Sequence, residues 1–334
     1  IIHNMGLSYS CLEDQEKSLS LFQKAIEIWQ RVLSEDGYAQ AEIQLANGYK
    51  NICRSKIILH DYEGAREPID QCIKLYEKIV YEDGRKACTD YLCDAYCLRG
   101  IILHFLNEFA ESVEQYDKAI CIFEKMYQAE NRDIYAKNLA LYYVNKAGVL
   151  VSMDELKEAI RFYEKATNIL ERLVNRKGLS KLTMDLGRAY AGLARVYFFM
   201  ESFDESVLPL HDKAIEVFER DTIPDFIREA LLAYRNKAKY LRKLNRFKEA
   251  ADQFMVGIKR IEEFIDLDTS SEFRGHHAHF RIEHSNDLIS LGKTSTARME
   301  LEAAIPVLEV EAEATGNLFF KRAVTEGKNL LDKC

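Results

Sequence analysis

A small residue returns at a nearly constant interval along this chain, at Ala25, Cys72, Ala119, Ala166, Ala214, Gly257 and Ala304, and the first three steps are each 47 residues. A period of that length marks one supersecondary unit copied in series. Two further series keep step with it. Gly6, Cys53, Gly100, Ala147, Ala194, Ala238 and Ser285 run 19 residues ahead of the first, or 20 in the unit ending at Ala214. Ser18, Ala65, Ser112, Ala159, Ser206, Ala250 and Ala297 follow 12 residues after the second. A bulky side chain holds two helices apart, so three interlocked series of small residues predict two helices per unit nesting at fixed points. The expected architecture is an all-α stack of antiparallel helical hairpins.

The second helix of each unit carries the clearest code, as in Ser112, Tyr116 and Ala119 or Ala159, Tyr163 and Ala166. Spacings of four and three place small, aromatic and small residues on one helical face. The middle member is Phe22, Ile69, Tyr116, Tyr163, Leu210, Phe254 or Leu301, and it is expected to fill the space between the helices. In the first helices Tyr49, Tyr96, Tyr143, Tyr190 and Tyr234 each stand four residues before the small residue. Such a ring can be buried while its hydroxyl finds a partner at the edge. Gly37, Gly84, Asn131 and Gly178, again 47 apart, are residues that suit a left-handed helix C-cap between units. An extra residue near Pro209 calls for a bulged or kinked helix, and the connection at Asp221 to Pro224, three residues shorter, is expected to alter the local pitch.

An array grows by adding units, so 334 residues need only one domain here. The units run approximately 1–37, 38–84, 85–131, 132–178, 179–224, 225–270 and 271–317, with a terminal helix at 318–332 that reads either as a solvating cap or as the first half of another unit. Both ends read as cut from a longer protein. Only 4 prolines suit nearly continuous helix, and no apolar run reaches the roughly 18 to 20 residues that span a bilayer. No secretory leader opens the chain and the eight cysteines lack metal-type spacing, so a cytoplasmic location without disulfides is expected. The net charge of -8 argues against general nucleic-acid binding.

The small-aromatic-small code, with an aromatic four residues before the first small position, resembles the tetratricopeptide repeat over essentially the whole chain. Armadillo and HEAT repeats are closer in length but lack this code. The resemblance implies a right-handed superhelical solenoid of about seven helix pairs. Units this long are similar to those attached to caspase-like peptidases, kinases or nucleotide switches in bacterial signalling proteins.

The resemblance also implies that the first helices line a concave binding groove. Two residues before each small residue stand Asn4, Asn51, Leu98, Asn145, Gly192, Asn236 and Glu283. A carboxamide there can donate to and accept from an extended peptide backbone, or it can tie one helix to the next. Lys50 and Arg54 flank Asn51, and Arg235 and Lys239 flank Asn236; with Arg188, Arg195 and Arg242 they make the later half of the groove positive, unless they form a merely solvated face. The expected partner is a protein or peptide, acidic or ending in a carboxylate, or another domain of the same polypeptide. His104 and Phe198 complete the expected groove, with Leu141, Val144, Val151 and Ala191 on a more apolar floor. Neither His276, His277 and His279 nor Cys93, Cys97 and His104 supplies a convincing fourth metal ligand. No phosphate loop or nucleophile arrangement emerges, so no cofactor, metal or catalysis is expected. The leading expectation is a scaffold or adaptor within a larger signalling protein. A peptide-sensing regulator of an attached effector and, further off, single-stranded RNA binding are the alternatives.

Overall fold

The computed structural model describes residues 15–36, 39–201, 203–266 and 270–334, and every regular element among them is helical. The positions Asn4, Gly6 and Gly37 lie outside the described residues. Among the described residues fourteen α-helices follow one another: α1 Gln15–Asp36, α2 Ala39–Ile58, α3 Tyr62–Glu77, α4 Thr89–Phe105, α5 Phe109–Glu130, α6 Asp133–Ser152, α7 Leu156–Glu171, α8 Thr183–Phe199, α9 Leu208–Phe218, α10 Pro224–Lys243, α11 Phe247–Phe264, α12 Ser271–Ser290, α13 Thr294–Thr315 and α14 Leu318–Leu331. Even-numbered helices are the first members of the hairpins and odd-numbered ones the second. The chain divides into two compact units, residues 1–169 and 170–334.

Within residues 1–169, α1 to α5 each pack on the helix that follows, and the first helices α2, α4 and α6 also touch in succession. The notches lie where the periodicity places them. Cys53, Ala65, Cys72, Ala119, Ala147, Ala159 and Ala166 are fully buried. At Gly100 a Cβ would sit 2.8 Å from two ring carbons of Tyr116, so the ring occupies the space that glycine leaves. Ser112 donates from its hydroxyl to the Gly100 carbonyl at 2.7 Å, which satisfies the one polar group the small position brings inside.

Residues 170–334 repeat the scheme in α8 to α14. Gly187, Gly257 and Gly275 make room for the rings of Phe218, Phe280 and Phe320. The last hairpin and α14 share a core of Ile282, Leu301, Ile305, Leu308 and Phe320. Helix α14 buries Phe320, Ala323, Gly327 and Leu330 at spacings of three and four, while Lys321, Arg322, Thr325 and Lys328 are exposed. One stripe is therefore buried and the rest solvated.

The turns explain the antiparallel pairing. Inside the hairpins His60, Asn107, Asp154, Asn245 and Gly292 adopt left-handed φ values of 58 to 73°. The next amide then reaches back to the last helical turn, as Asp61 N to Lys56 O at 2.8 Å and Glu108 N to Leu103 O at 2.8 Å. This is the Schellman closure, which satisfies end carbonyls and reverses the chain. Between hairpins, Gly84, Asn131 and Gly178 are left-handed, as their residue types lead one to expect. After α3 and α7 the chain first widens into π-helical turns at Lys78–Glu82 and Arg172–Arg176.

The tyrosines of the first helices also behave alike. Tyr96 donates to Glu77 at 2.6 Å, Tyr143 to Glu124 at 2.5 Å, Tyr190 to Glu171 and Tyr234 to Glu219 at 3.0 Å, while Gln30 donates to Tyr49 at 3.1 Å. Each bond links a first helix to the second helix of the preceding hairpin. A cation closes four of them: Lys118 lies 5.8 Å over Tyr96, Lys165 5.1 Å over Tyr143, Lys213 5.0 Å over Tyr190, and Arg260 bridges to Glu219 at 3.2 Å. A buried hydroxyl bonded to a carboxylate contributes about 1.5–3 kcal/mol.

The unit containing Pro209 departs from the sequence expectation. Ser206 is exposed and Leu210 only partly covered, whereas Val207 and His211 are 4% and 3% exposed. The buried set is thus Val207, His211 and Ala214, one residue later than the expected Ser206 and Leu210. The extra residue is absorbed before the helix, in the 3-10 turn Glu205–Val207, and neither bulge nor kink is needed. Pro209 then falls in the first turn of α9, where its missing amide hydrogen has no intrahelical acceptor to forgo.

This slip puts a histidine in the slot that an aromatic or aliphatic side chain fills elsewhere. His211 packs 5.3 Å from the Tyr240 ring and its Nε2 has no hydrogen-bond partner. Burial, with help from Lys237, pushes it down to about 4. The folded protein therefore holds fewer protons than the unfolded chain between about pH 6.5 and 4, and stability falls as pH drops through that window. His211→Leu is expected to unfold at similar or higher urea than wild type at pH 7 and to gain about 2–3 kcal/mol over it at pH 4.5. Parallel acid sensitivity of the two proteins would show that this histidine is not the cause.

Candidate functional site

The first-helix faces are built from side chains at fixed offsets from the notches, because residues two and four positions from a buried small residue emerge beside it. In residues 1–169 much of this face is tied internally. Lys50 is 5% exposed, with its ammonium 4.8 Å over Tyr91 and 5.9 Å over Tyr76. Burial lowers its pKa against the opposing pull of Asp94. Asn51 is buried beside it and Arg54 is exposed. Tyr142 donates to Asp94 at 3.0 Å and Asn145 to the Cys97 sulfur at 3.5 Å, so these side chains lace α6 to α4. A ring nitrogen of His104 lies 3.1 Å from the Ser152 hydroxyl, across the same pair of helices. At Asn145 the carboxamide thus ties a helix to its neighbour.

In residues 170–334, Arg195 is exposed and Phe198 half-buried, edge-on to Phe203 at 5.7 Å. Arg188 spans to Glu229 of α10 at 2.7 Å. On α10, Arg235 lies 5.2 Å over the Phe319 ring, Asn236 is half-buried, and Lys239 stands 3.6 Å from Glu283. Arg242 is fully engaged: it reaches Asp287 and Glu283 carboxylates at 2.5 Å each and the Glu283 carbonyl at 2.6 Å. Burial of Glu283 would raise its pKa, but Arg242, His279 and Lys239 outweigh that and lower it; for Asp287 burial prevails and raises it. Arg242 is therefore not a free cation awaiting a ligand. Its two carboxylates, 41 and 45 residues further along the chain, were not paired with it by the sequence reading.

Two cavities open between the first helices α10, α12 and α14. One, about 350 Å³, is lined by Leu231, Leu232, Arg235, His276, Phe280 and Phe319 among others. The second, about 370 Å³, is lined by Lys239, Arg242, Glu283, Asn286, Asn329 and Lys333 among others. The first is mainly apolar with a cationic wall, and the second is polar. From Leu231 to Lys239 is eight residues of helix, about 12 Å, so the cavities follow one another along α10. Arg235, Lys239 and Arg242 are brought to them together; Arg188, Arg195 and Phe198 stand on α8. Phe319, Asn329 and Lys333 were missed, although the reading of the terminal helix as the first half of another unit points to them.

The remaining chemical candidates are dispersed. His277 pairs with Glu262 at 2.9 Å and His284 with Glu300 at 2.8 Å, while His279 is held down to about 3, chiefly by burial. Burial pushes the Cys97 thiol up to about 12. Among the described residues no three metal-type side chains converge. No described helix is long and apolar enough to cross a membrane.

Family models described as tetratricopeptide repeat match residues 1–37 and, in a second form, residues 94–124 and 140–169. No curated protein matches the sequence. Among solved structures, the chain is similar to BtubC (BKLC) from P. vanneervenii, at 13% identity and a TM-score of 0.59 over 75% of this chain and 91% of that one. The apo form of RapI is similar at 13% identity and a TM-score of 0.57, over 94% and 98% of the two chains. The apo form of the quorum sensor NprR from B. thuringiensis is similar at 14% identity and a TM-score of 0.55, over 98% and 79%. At these identities the likeness is one of fold.

Proposed function

Because this chain is a tetratricopeptide-repeat protein, we propose that it serves as a protein-interaction module that holds an extended peptide segment of a partner along α10, α12 and α14. The observation that carries this reading is the succession of one apolar and one polar cavity on a single first-helix face. An extended peptide advances about 3.3 Å per residue, so a span of about 12 Å corresponds to a spacing of three or four residues. The apolar cavity suits a large hydrophobic side chain against Leu231, Leu232 and Phe319. The polar one suits an acidic side chain or a terminal carboxylate, received by Lys239 and Lys333 with carboxamide donors from Asn286 and Asn329. Arg242 contributes by holding Glu283 and Asp287 in place.

A peptide library displayed with free C-termini tests this. The expected selection is a large apolar residue three or four positions from an acidic residue or the terminus. Binding of a selected peptide should weaken as salt rises from 50 to 300 mM, since exposed charge pairs are screened. Lys239→Glu with Lys333→Glu should lower affinity at least tenfold at unchanged helicity. Selection of no common pattern, or affinity indifferent to the double reversal, overturns the assignment.

A further inference from the structure

The outer face of α13 differs from that of every other second helix. At four equivalent outward positions, set by distance from the notch residue, α5 carries Glu114, Lys118, Cys121 and Lys125, and α7 with the π turn after it carries Arg161, Lys165, Asn168 and the partly covered Arg172. Helix α13 carries Met299, Ala303, Pro306 and Val310, with Val307 and Ala314 beside them. All are exposed, Met299 at 71% and Val310 at 63%. Steps of three and four residues align them into one stripe about 22 Å long, the pattern by which one helix receives another. A continuous apolar stripe on a face that its sister helices keep charged is a feature of an interaction site.

The rim states the chemistry of the partner. Glu302, Glu309 and Glu313 fall along one edge of the stripe; Lys328 of α14 pairs with Glu309 at 2.6 Å and Arg298 stands at the start, which leaves Glu302 and Glu313 to face a partner. Pro306 has no amide hydrogen to offer the Glu302 carbonyl, which leaves an acceptor at mid-stripe. A second copy of this chain laid antiparallel would set one acidic edge against another, and the net charge of -8 adds to that repulsion. An anionic membrane surface is repelled in the same way.

We propose that α13 docks a basic amphipathic helix of a partner protein, its apolar stripe on Met299 to Ala314 and its Lys or Arg residues toward Glu302 and Glu313. This surface is on the opposite side of the hairpin from the peptide cavities and does not depend on them.

The test uses two labelled 18-residue helical peptides with leucine at heptad a and d positions, one with lysine and one with glutamate elsewhere, read by fluorescence anisotropy on the full chain. The lysine peptide should bind at least tenfold more tightly than the glutamate peptide. Met299→Gln with Val310→Gln should weaken it at least tenfold, and Glu302→Gln with Glu313→Gln should remove most of its salt dependence, both at unchanged melting temperature. Lys239→Glu with Lys333→Glu should leave it unaltered. Equal binding of the two peptides, or no loss in the Met299/Val310 variant, overturns the proposal. A protein dimer that the same variant dissolves, or binding to anionic vesicles that it abolishes, would also overturn it, by naming a different occupant.

Discussion

Replacing Arg242 by alanine is expected to destabilise residues 170–334 by about 3–5 kcal/mol, a fall of about 10 °C or more in the melting of that part. The guanidinium meets two carboxylates and a backbone carbonyl, and the Asp287 side chain is only 1% exposed. Removing the cation leaves Asp287 without its bonded counter-charge, and Glu283 with the more distant Lys239, in a poorly solvated place, which costs far more than the pair contributes when intact. Arg242→Met made together with Glu283→Leu and Asp287→Leu is expected to recover most of the loss, because apolar packing replaces an ion cluster at little net cost. Hydrogen exchange of α10 and α12 reads the effect locally. Wild-type protection in Arg242→Ala would show that solvent reaches the cluster and that it contributes little.

Tyr116→Ala is the second large effect, also about 3–5 kcal/mol, since it empties a fully buried aromatic site between α4 and α5. Its partner Gly100 makes the prediction sharper. In the wild type Gly100→Ala forces the ring to move, because the added carbon would lie 2.8 Å from it. In the Tyr116→Ala background the same change meets open space and gains about 1 kcal/mol of helix propensity. The two changes should therefore be strongly non-additive in urea unfolding followed by circular dichroism. Additive costs would mean that ring and glycine do not share the notch.

The fold was legible because the notches repeat. Ala119 and Ala166 are buried, Tyr96, Tyr143, Tyr190 and Tyr234 found edge partners in carboxylates, and Gly84, Asn131 and Gly178 turn left-handed, each from a local signal copied several times. The slip at Val207 was less legible. A one-residue insertion has no preferred position in a pattern built from small residues, and Ser206 imitates the true notch. What decides it is that Val207, His211 and Ala214 keep the spacing of four and three that Ser206, Leu210 and Ala214 do not.

The candidate site was harder to read, for a different reason. Offsets within a helix say which side chains emerge together but not what the next first helix offers them. Arg242 and Asn145 point where periodicity predicts and are then taken up by Glu283 and Asp287 and by Cys97. Such pairings depend on residues more than 40 positions away that follow no repeat. Arg54 and Arg195, expected to line the groove unless they form a solvated face, are exposed.

The connection that follows α3 and the one that follows α7 match in detail. Each has a π turn, a left-handed glycine and a 3-10 turn, at Lys78–Glu82, Gly84 and Lys86–Cys88 and at Arg172–Arg176, Gly178 and Ser180–Leu182. The amide of Arg85 reaches the Ile79 carbonyl and that of Leu179 the Leu173 carbonyl, both at 3.0 to 3.1 Å. The connection between them, through Asn131, has neither the π nor the 3-10 turn. Residues 85–178 thus form a tandem of two hairpins that runs from one such joint to its duplicate. Excising residues 85–178 would splice one joint onto its own duplicate, whereas excising a single hairpin would marry two unlike joints.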